Sequence, residues 1–181
     1  MKEPRRTPPP LDAAALDRLA LRYVERFATT RAKLTDYLAR KLRERGWAGE
    51  APSDARAVAE RMAALGYIDD RGFAESRAAA MGRRGLGGRR IAGALRQAGI
   101  DEADAEHVRP AIEERAEASA LAFARRRRLG AYGVQPADRA AREKALAAML
   151  RAGHDYDLSR RIMAMSIDEL SEFEADVAAR D

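Results

Sequence analysis

Apolar residues recur three or four positions apart along most of this chain, and no stretch alternates apolar and polar positions long enough to make a strand. The stripe Leu16, Leu19, Ala20, Tyr23, Val24 and Phe27 predicts a helix over 12–29 with these residues turned inward. Thr30 suits the N-cap of a second helix running to Arg45, with Leu34, Tyr37, Leu38 and Leu42 inward. A third starts at Ser53, after Pro52, and buries Val58, Met62 and Leu65. The same spacing predicts helices over 70–84, 88–98, 101–113 with Val108 and Ile112 inward, and 114–129. Two more run from Pro136 to Ala152 and over 155–165, where Leu158, Ile162 and Met165 repeat the spacing of Val58, Met62 and Leu65. In the last segment Ser166 and Glu169 of "SIDE" form a capping box.

Three of these helix ends look alike: "LARKLRERGW", "IAGALRQAGI" and "ALAAMLRAGH". Each closes on a glycine, Gly46, Gly99 and Gly153, spaced 53 and 54 residues apart, with Leu42, Leu95 or Met149 four positions earlier. A helix end needs a positive φ that glycine reaches at little cost. Recurrence at a near-constant period predicts a tandem repeat. The expected fold is all-α, an elongated array of three tandem three-helix repeats over 12–66, 67–113 and 114–165. A basic, proline-rich disordered tail over 1–11 precedes it, and an acidic tail or helix over 166–181 follows. Units this small bury too little alone and must stack on neighbours.

Composition narrows the functions available. The chain of 181 residues is 46% hydrophobic, but much of that is alanine, and aromatics are only 6%. Alanine, arginine, glutamate and leucine dominate, all strong helix formers. There is no cysteine, which removes disulfides, thiolate metal sites and cysteine nucleophiles together. No apolar run is long enough for a membrane span or a secretory signal, so a cytoplasmic protein is the expectation.

Charge is segregated. Residues 82–100 hold five arginines and no acid, and residues 118–137 hold four, again with no acid. Residues 166–181 carry six acids against one arginine. Such segregation on a chain of net charge +5 points to an anionic partner, a nucleic acid or an acidic protein surface. The contact candidates are Arg83, Arg84, Arg89 and Arg90 around "GLGG", and Arg125, Arg126, Arg127 and Arg128 around a turn at the end of the 114–129 helix. Guanidinium groups grip phosphates or carboxylates by bidentate bonds. Neither cluster has interleaved aromatics for base stacking, which favours a protein partner or backbone phosphates over base reading.

Catalytic readings find nothing to rest on. Asp69 and Asp70 stand at the start of a helix with no further carboxylate or histidine converging on them, so one of the pair is read as an N-cap. His107 and His154 have no partner at ligand spacing and are read as surface or packing residues. "GLGG" lacks the preceding strand and the lysine-serine pair of a phosphate loop, and no nucleophile elbow exists. No enzyme activity, cofactor or metal is expected.

The stretch "ALGYIDDRGFAE" resembles the signature of the RecX family, bacterial regulators of the RecA recombinase, on Gly66, Tyr67, Ile68, Asp69, Asp70, Phe73 and Ala74. "GRRIAGALRQAGID" is similar to that family's second block on Gly88, Ile91, Leu95, Gly99, Ile100 and Asp101, and "ALAAMLRAGHDYDLSRRIM" to its C-terminal repeat in divergent form. The chain departs from it in "TTRAKLTDYLARKL", where many relatives open the helix with Arg-Ser-x-x-Glu-Leu. The resemblance implies a non-enzymatic helical protein that binds RecA–single-stranded DNA filaments and limits their growth, ATP hydrolysis, strand exchange and coprotease function. The signature residues are assigned to fold: Gly66 turns the chain, Tyr67 and Phe73 pack between repeats, and Asp69 or Asp70 caps. The arginines are inferred from charge alone. Partners are then the RecA filament, with weak single- or double-stranded DNA binding in second place, and the protein is expected to act as a monomer away from membranes. The competing reading is a direct DNA-binding protein of helix-turn-helix type.

Overall fold

Short polar side chains open most of the helices, each accepting from a backbone amide of its helix's first turn. Asp12 opens α1 (Ala13–Arg26), Thr30 opens α2 (Arg31–Arg45) and Asp54 opens α3 (Ala55–Ala64). Then come α4 (Asp70–Arg83) and α5 (Gly88–Gln97), followed by α6 (Glu102–Glu114) capped by Asp101 and α7 (Ala116–Arg127). A 3-10 turn at Gly130–Tyr132 precedes α8 (Arg139–Arg151) capped by Asp138, α9 (Tyr156–Ala164) capped by Asp155, and α10 (Ile167–Ala178). Both halves of the Ser166/Glu169 capping box form at the start of α10. The computed structural model describes residues 9–133 and 138–180, and among these the protein is all-α, with no strand. Residues 1–8 of the expected tail and the expected helix start at Pro136 lie outside the described residues.

The three helix-closing glycines all have positive φ, 79° at Gly46, 72° at Gly99 and 94° at Gly153. Two of them also sit at close approaches. A Cβ on Gly99 would lie 2.1 Å from that of Ala32, and one on Gly153 would lie 2.4 Å from the Arg90 nitrogen. Glycine at these two positions therefore answers both a backbone and a space requirement.

The described chain divides into two compact units, residues 9–73 with Ala98–Ile100, and Ala74–Gln97 with 101–180. The first is built on Leu16, Ala20, Leu34, Leu38, Val58 and Met62, joined by Leu11 and Ile68. Leu11 corrects the expected tail over 1–11, because it is 0% exposed and bridges to Trp47, its amide donating to the Gly46 carbonyl at 3.0 Å. Phe27 is a second correction. It falls one residue past the end of α1 in an extended conformation and is 52% exposed, outside the core it was expected to join.

The second unit is centred on Leu121, Phe123, Met149 and Ile162, with Leu170, Phe173 and Val177 of α10 in the same cluster. The acidic final segment is therefore a core helix, with Asp168, Glu169, Glu172 and Asp176 exposed and Glu174 half-buried. Each such side chain contributes roughly 1.5–3 kcal/mol when buried. His154 is 2% exposed, with its Nε2 facing the Gly85 carbonyl at 3.2 Å and Phe123 beside its ring. Burial pushes it below its ordinary value, outweighing the bond to Gly85, and the charge of Arg89 adds to the depression. Because the folded value lies below the unfolded one, stability contributed by neutral His154 is intact above about pH 6.5 and is lost as pH falls toward the folded value. The drop in denaturation midpoint between about pH 7 and pH 5 is expected to shrink in His154→Gln, which keeps a donor for Gly85. An unchanged drop in the variant contradicts this role.

Candidate functional site

The signature segment is a junction of helix ends. Helix α3 closes with Leu65, the Gly66 amide donates to the Ala63 carbonyl and the Tyr67 amide to the Met62 carbonyl, with Gly66 at φ +80°. Ile68 then drops into the core. Tyr67 does not pack as expected: it is 52% exposed. Phe73 is half-buried with the Lys33 ammonium 4.7 Å above its ring, and Ala74 is fully buried.

The two aspartates have separate tasks. Asp69 is the cap of α4, accepting from the Gly72 amide at 2.9 Å. Asp70 is not a cap of its own helix. Its carboxylate is buried and reaches α2, accepting from the Arg31 amide at 3.0 Å and the Arg31 Nε at 2.8 Å. The first turn of α2 thereby gains an acceptor from 39 residues away. The Asp70 bond, the largest influence, holds the Arg31 guanidinium above its usual value, and Glu60 adds to the effect.

The arginine clusters divide in the same way between structure and surface. Helix α7 ends at Arg127, and Arg128 takes the left-handed conformation at φ 52°, the one non-glycine with positive φ among the described residues. The four arginines therefore do not complete a helical turn, as the sequence suggested. Arg125 is engaged by α10: it and the Tyr132 hydroxyl both donate to Glu174 Oε1. Burial pushes the Glu174 carboxyl up, but the bonds from Tyr132 and Arg125 outweigh it and hold the group below the usual carboxylate range. Arg126 donates to the Arg84 carbonyl and Arg89 to the His154 carbonyl, so both serve the fold of the second unit. Arg83 lines a groove whose walls also carry Glu75, His107 and Glu114. Arg84, Arg90 and Arg127 are exposed.

What the fold assembles is a basic groove of about 440 Å³ between the end of α7 and α8. Arg126, Arg127, Arg128, Lys144 and Arg151 line it with Leu129 and three alanines, and no acid is among its described lining residues. Lys144 and Arg151 stand seven residues apart on α8, so both face the groove. Sequence reading missed them, because a lysine and an arginine in a helix mark no surface until the helix's neighbour is known. Among the described residues no cluster of His, Asp or Glu is arranged to hold a metal, and no helix is long and apolar enough to cross a membrane. The groove's chemistry is that of anion recognition by several exposed cations.

Comparison with known proteins agrees with the resemblance in the signature. A family model described as RecX, second three-helix domain, matches residues 69–108. The regulatory protein RecX of Myxococcus xanthus is 31% identical over 170 residues, spanning 90% of this chain and 89% of that protein. The crystal structure of RecX from Lactobacillus salivarius has a TM-score of 0.60 at 23% identity, covering 88% of this chain and 96% of that one. A further crystal structure of regulatory protein RecX gives 0.56 at 23% identity, over 84% of this chain and 73% of its own. The two structures establish the shared all-helical fold, and the Myxococcus relative, similar along nearly its whole length, establishes more: this chain belongs to the RecX family of regulatory proteins.

Proposed function

We propose that this chain regulates the RecA recombinase by binding the RecA–single-stranded DNA filament and limiting its growth, and with it ATP hydrolysis, strand exchange and coprotease activity. The observation that carries the reading is the basic groove on a member of this regulatory family: five cations and no described acid around one depression. A filament presents phosphates and protein acids in a repeating array, and several exposed cations around one depression suit either. In this reading Arg127, Lys144 and Arg151 make the principal contacts, with Arg84 and Arg90 as further contributors and Arg125 and Arg89 kept for the fold. The division into three-helix repeats over 12–66, 67–113 and 114–165 belongs to the same proposal. So do action as a monomer in the cytoplasm and the absence of any catalytic step or cofactor. The test is ATP hydrolysis by RecA on single-stranded DNA as the chain is titrated in. Inhibition below one chain per RecA is the expected outcome, and no effect of folded chain at excess overturns the proposal.

A further inference from the structure

The second unit carries a groove of about 570 Å³ that the regulatory reading does not use. Its floor is apolar, with Ala78, Ile91, Val108 and Ile112 along it. One end is closed by Glu75 of α4 and His107 of α6, paired at 3.1 Å. From each of these the chain runs eight residues, about 12 Å of helix, to an arginine: Arg83 at the end of α4 and Arg115 just past α6. Both arginines line the groove and are exposed, and among the described residues neither guanidinium has a partner. Beside them stands Ser119 of α7, whose amide donates to the Arg115 carbonyl. Ser119 is only 6% exposed, yet it lines the groove, and its hydroxyl forms no hydrogen bond among the described residues. Gly82 faces that hydroxyl without a side chain, since a Cβ there would lie 3.4 Å from it. A buried hydroxyl left unbonded carries a desolvation cost that the fold itself does not recover.

We infer that this groove binds a small amphipathic carboxylate, an aliphatic acid whose head meets Ser119, Arg83 and Arg115 and whose chain lies along the floor toward Glu75 and His107. Its volume is that of a small-molecule site, and apolar walls with a few convergent polar groups are the usual form of one. A carboxylate accepts from the serine hydroxyl and from guanidinium N–H groups together, which supplies the bond that Ser119 lacks. Glu114 also lines the groove next to Arg115, so two arginines against one glutamate leave one positive charge, the match for a monoanion. An amine head would need Glu75, and that carboxylate is already paired with His107. A polyanion would meet this single net charge over an apolar floor, where the groove between α7 and α8 offers five cations. The inference goes beyond regulation of RecA, because it requires neither RecA nor nucleic acid.

The test is isothermal titration calorimetry of the full chain with octanoate, acetate, octylammonium and octanol, each below its solubility or micelle limit. Octanoate is expected to bind about a hundredfold more tightly than acetate, because its chain buries several more methylenes. It should also bind more tightly than octylammonium or octanol, which lack the anionic head. Ser119→Ala should weaken octanoate about tenfold, the order of one lost hydrogen bond to a charged group, and leave octanol unaffected. Arg83→Ala should act in the same direction on the same ligand. Because the Ser119 hydroxyl has no partner in the fold, Ser119→Ala should melt no lower than the parent, whereas a purely structural serine would lower the melt. Circular dichroism checks this in the same samples. Ala111→Phe fills the groove from an exposed position and should abolish octanoate binding. No binding of octanoate overturns the inference, and so does equal binding of octanoate and acetate or of octanoate and octylammonium. A Ser119→Ala chain that melts with the parent and binds octanoate as tightly overturns it as well, whatever the fate of Ala111→Phe. RecA is absent from every arm, so failure here is separate from failure of the regulatory reading.

Discussion

Combining Arg127→Glu, Lys144→Glu and Arg151→Glu is expected to abolish inhibition of RecA ATP hydrolysis at physiological salt while leaving the fold intact. All three side chains are exposed on the rim of one groove, and no bond to the fold is described for any of them. Reversal turns three attractions into three repulsions at a surface with no described acid. If each cation neutralises one phosphate, its loss lowers the slope of log affinity against log salt by about 0.7–0.9, so the triple variant should lose roughly 2–3 of that slope. Contacts to protein acids are screened as well, though without counterion release from a nucleic acid, so their salt dependence is shallower. The measurements are the inhibition curve at several salt concentrations and the circular dichroism melt. A variant that folds and inhibits like the parent removes the groove from the contact surface.

The largest expected effect on stability is that of Asp70→Ala. The Asp70 side chain is only 5% exposed and accepts from both the backbone and the guanidinium of Arg31. Breaking a fully buried ion pair costs about 3–5 kcal/mol. Arg31 is 35% exposed and lies 3.5 Å from Glu60, so water and a second acid would partly compensate it. The expected loss is therefore about 1.5–3 kcal/mol, the range of hydrogen bonds to charged groups. For a chain of this length that lowers the melting temperature by roughly 3–12 °C. Asp69→Ala removes an exposed cap and should cost less, about 1 kcal/mol. Asp70→Asn keeps an acceptor for the Arg31 amide and should fall between the two. A melt of Asp70→Ala no lower than that of Asp69→Ala contradicts this division of roles. An unchanged melt with lost inhibition moves Asp70 to the partner surface.

Local signals in the sequence carried most of the fold. Thr30, the Ser166/Glu169 box and the glycines 46, 99 and 153 mark helix ends through bonds and dihedrals that span only a few residues. Periodicity placed the helices within a few residues of their observed bounds, because an amphipathic stripe is itself a local property. Pairings over long separations were not legible. Nothing near Asp70 in sequence names Arg31 as its partner, and the proline-rich setting of Leu11 masks a residue whose burial depends on Trp47. Phe27 had the right spacing for the core but falls just beyond the helix that would have turned it inward. Charge counting read 166–181 as an acidic tail or helix outside the repeats and passed over Leu170, Phe173 and Val177, whose spacing was the available signal of a core helix. It also found the arginine runs, but Lys144 and Arg151 join them only once α8 lies beside the end of α7.

The most direct test of the central claim is equilibrium binding of the labelled chain to three targets at physiological salt. These are RecA filaments assembled on single-stranded DNA with a non-hydrolysable nucleotide, free RecA, and the same DNA without protein. The regulatory account predicts clearly tighter binding to the filament than to either component, because the contacts lie along the assembled array. Binding to naked DNA as tight as to the filament would contradict it and leave a DNA-binding protein in its place.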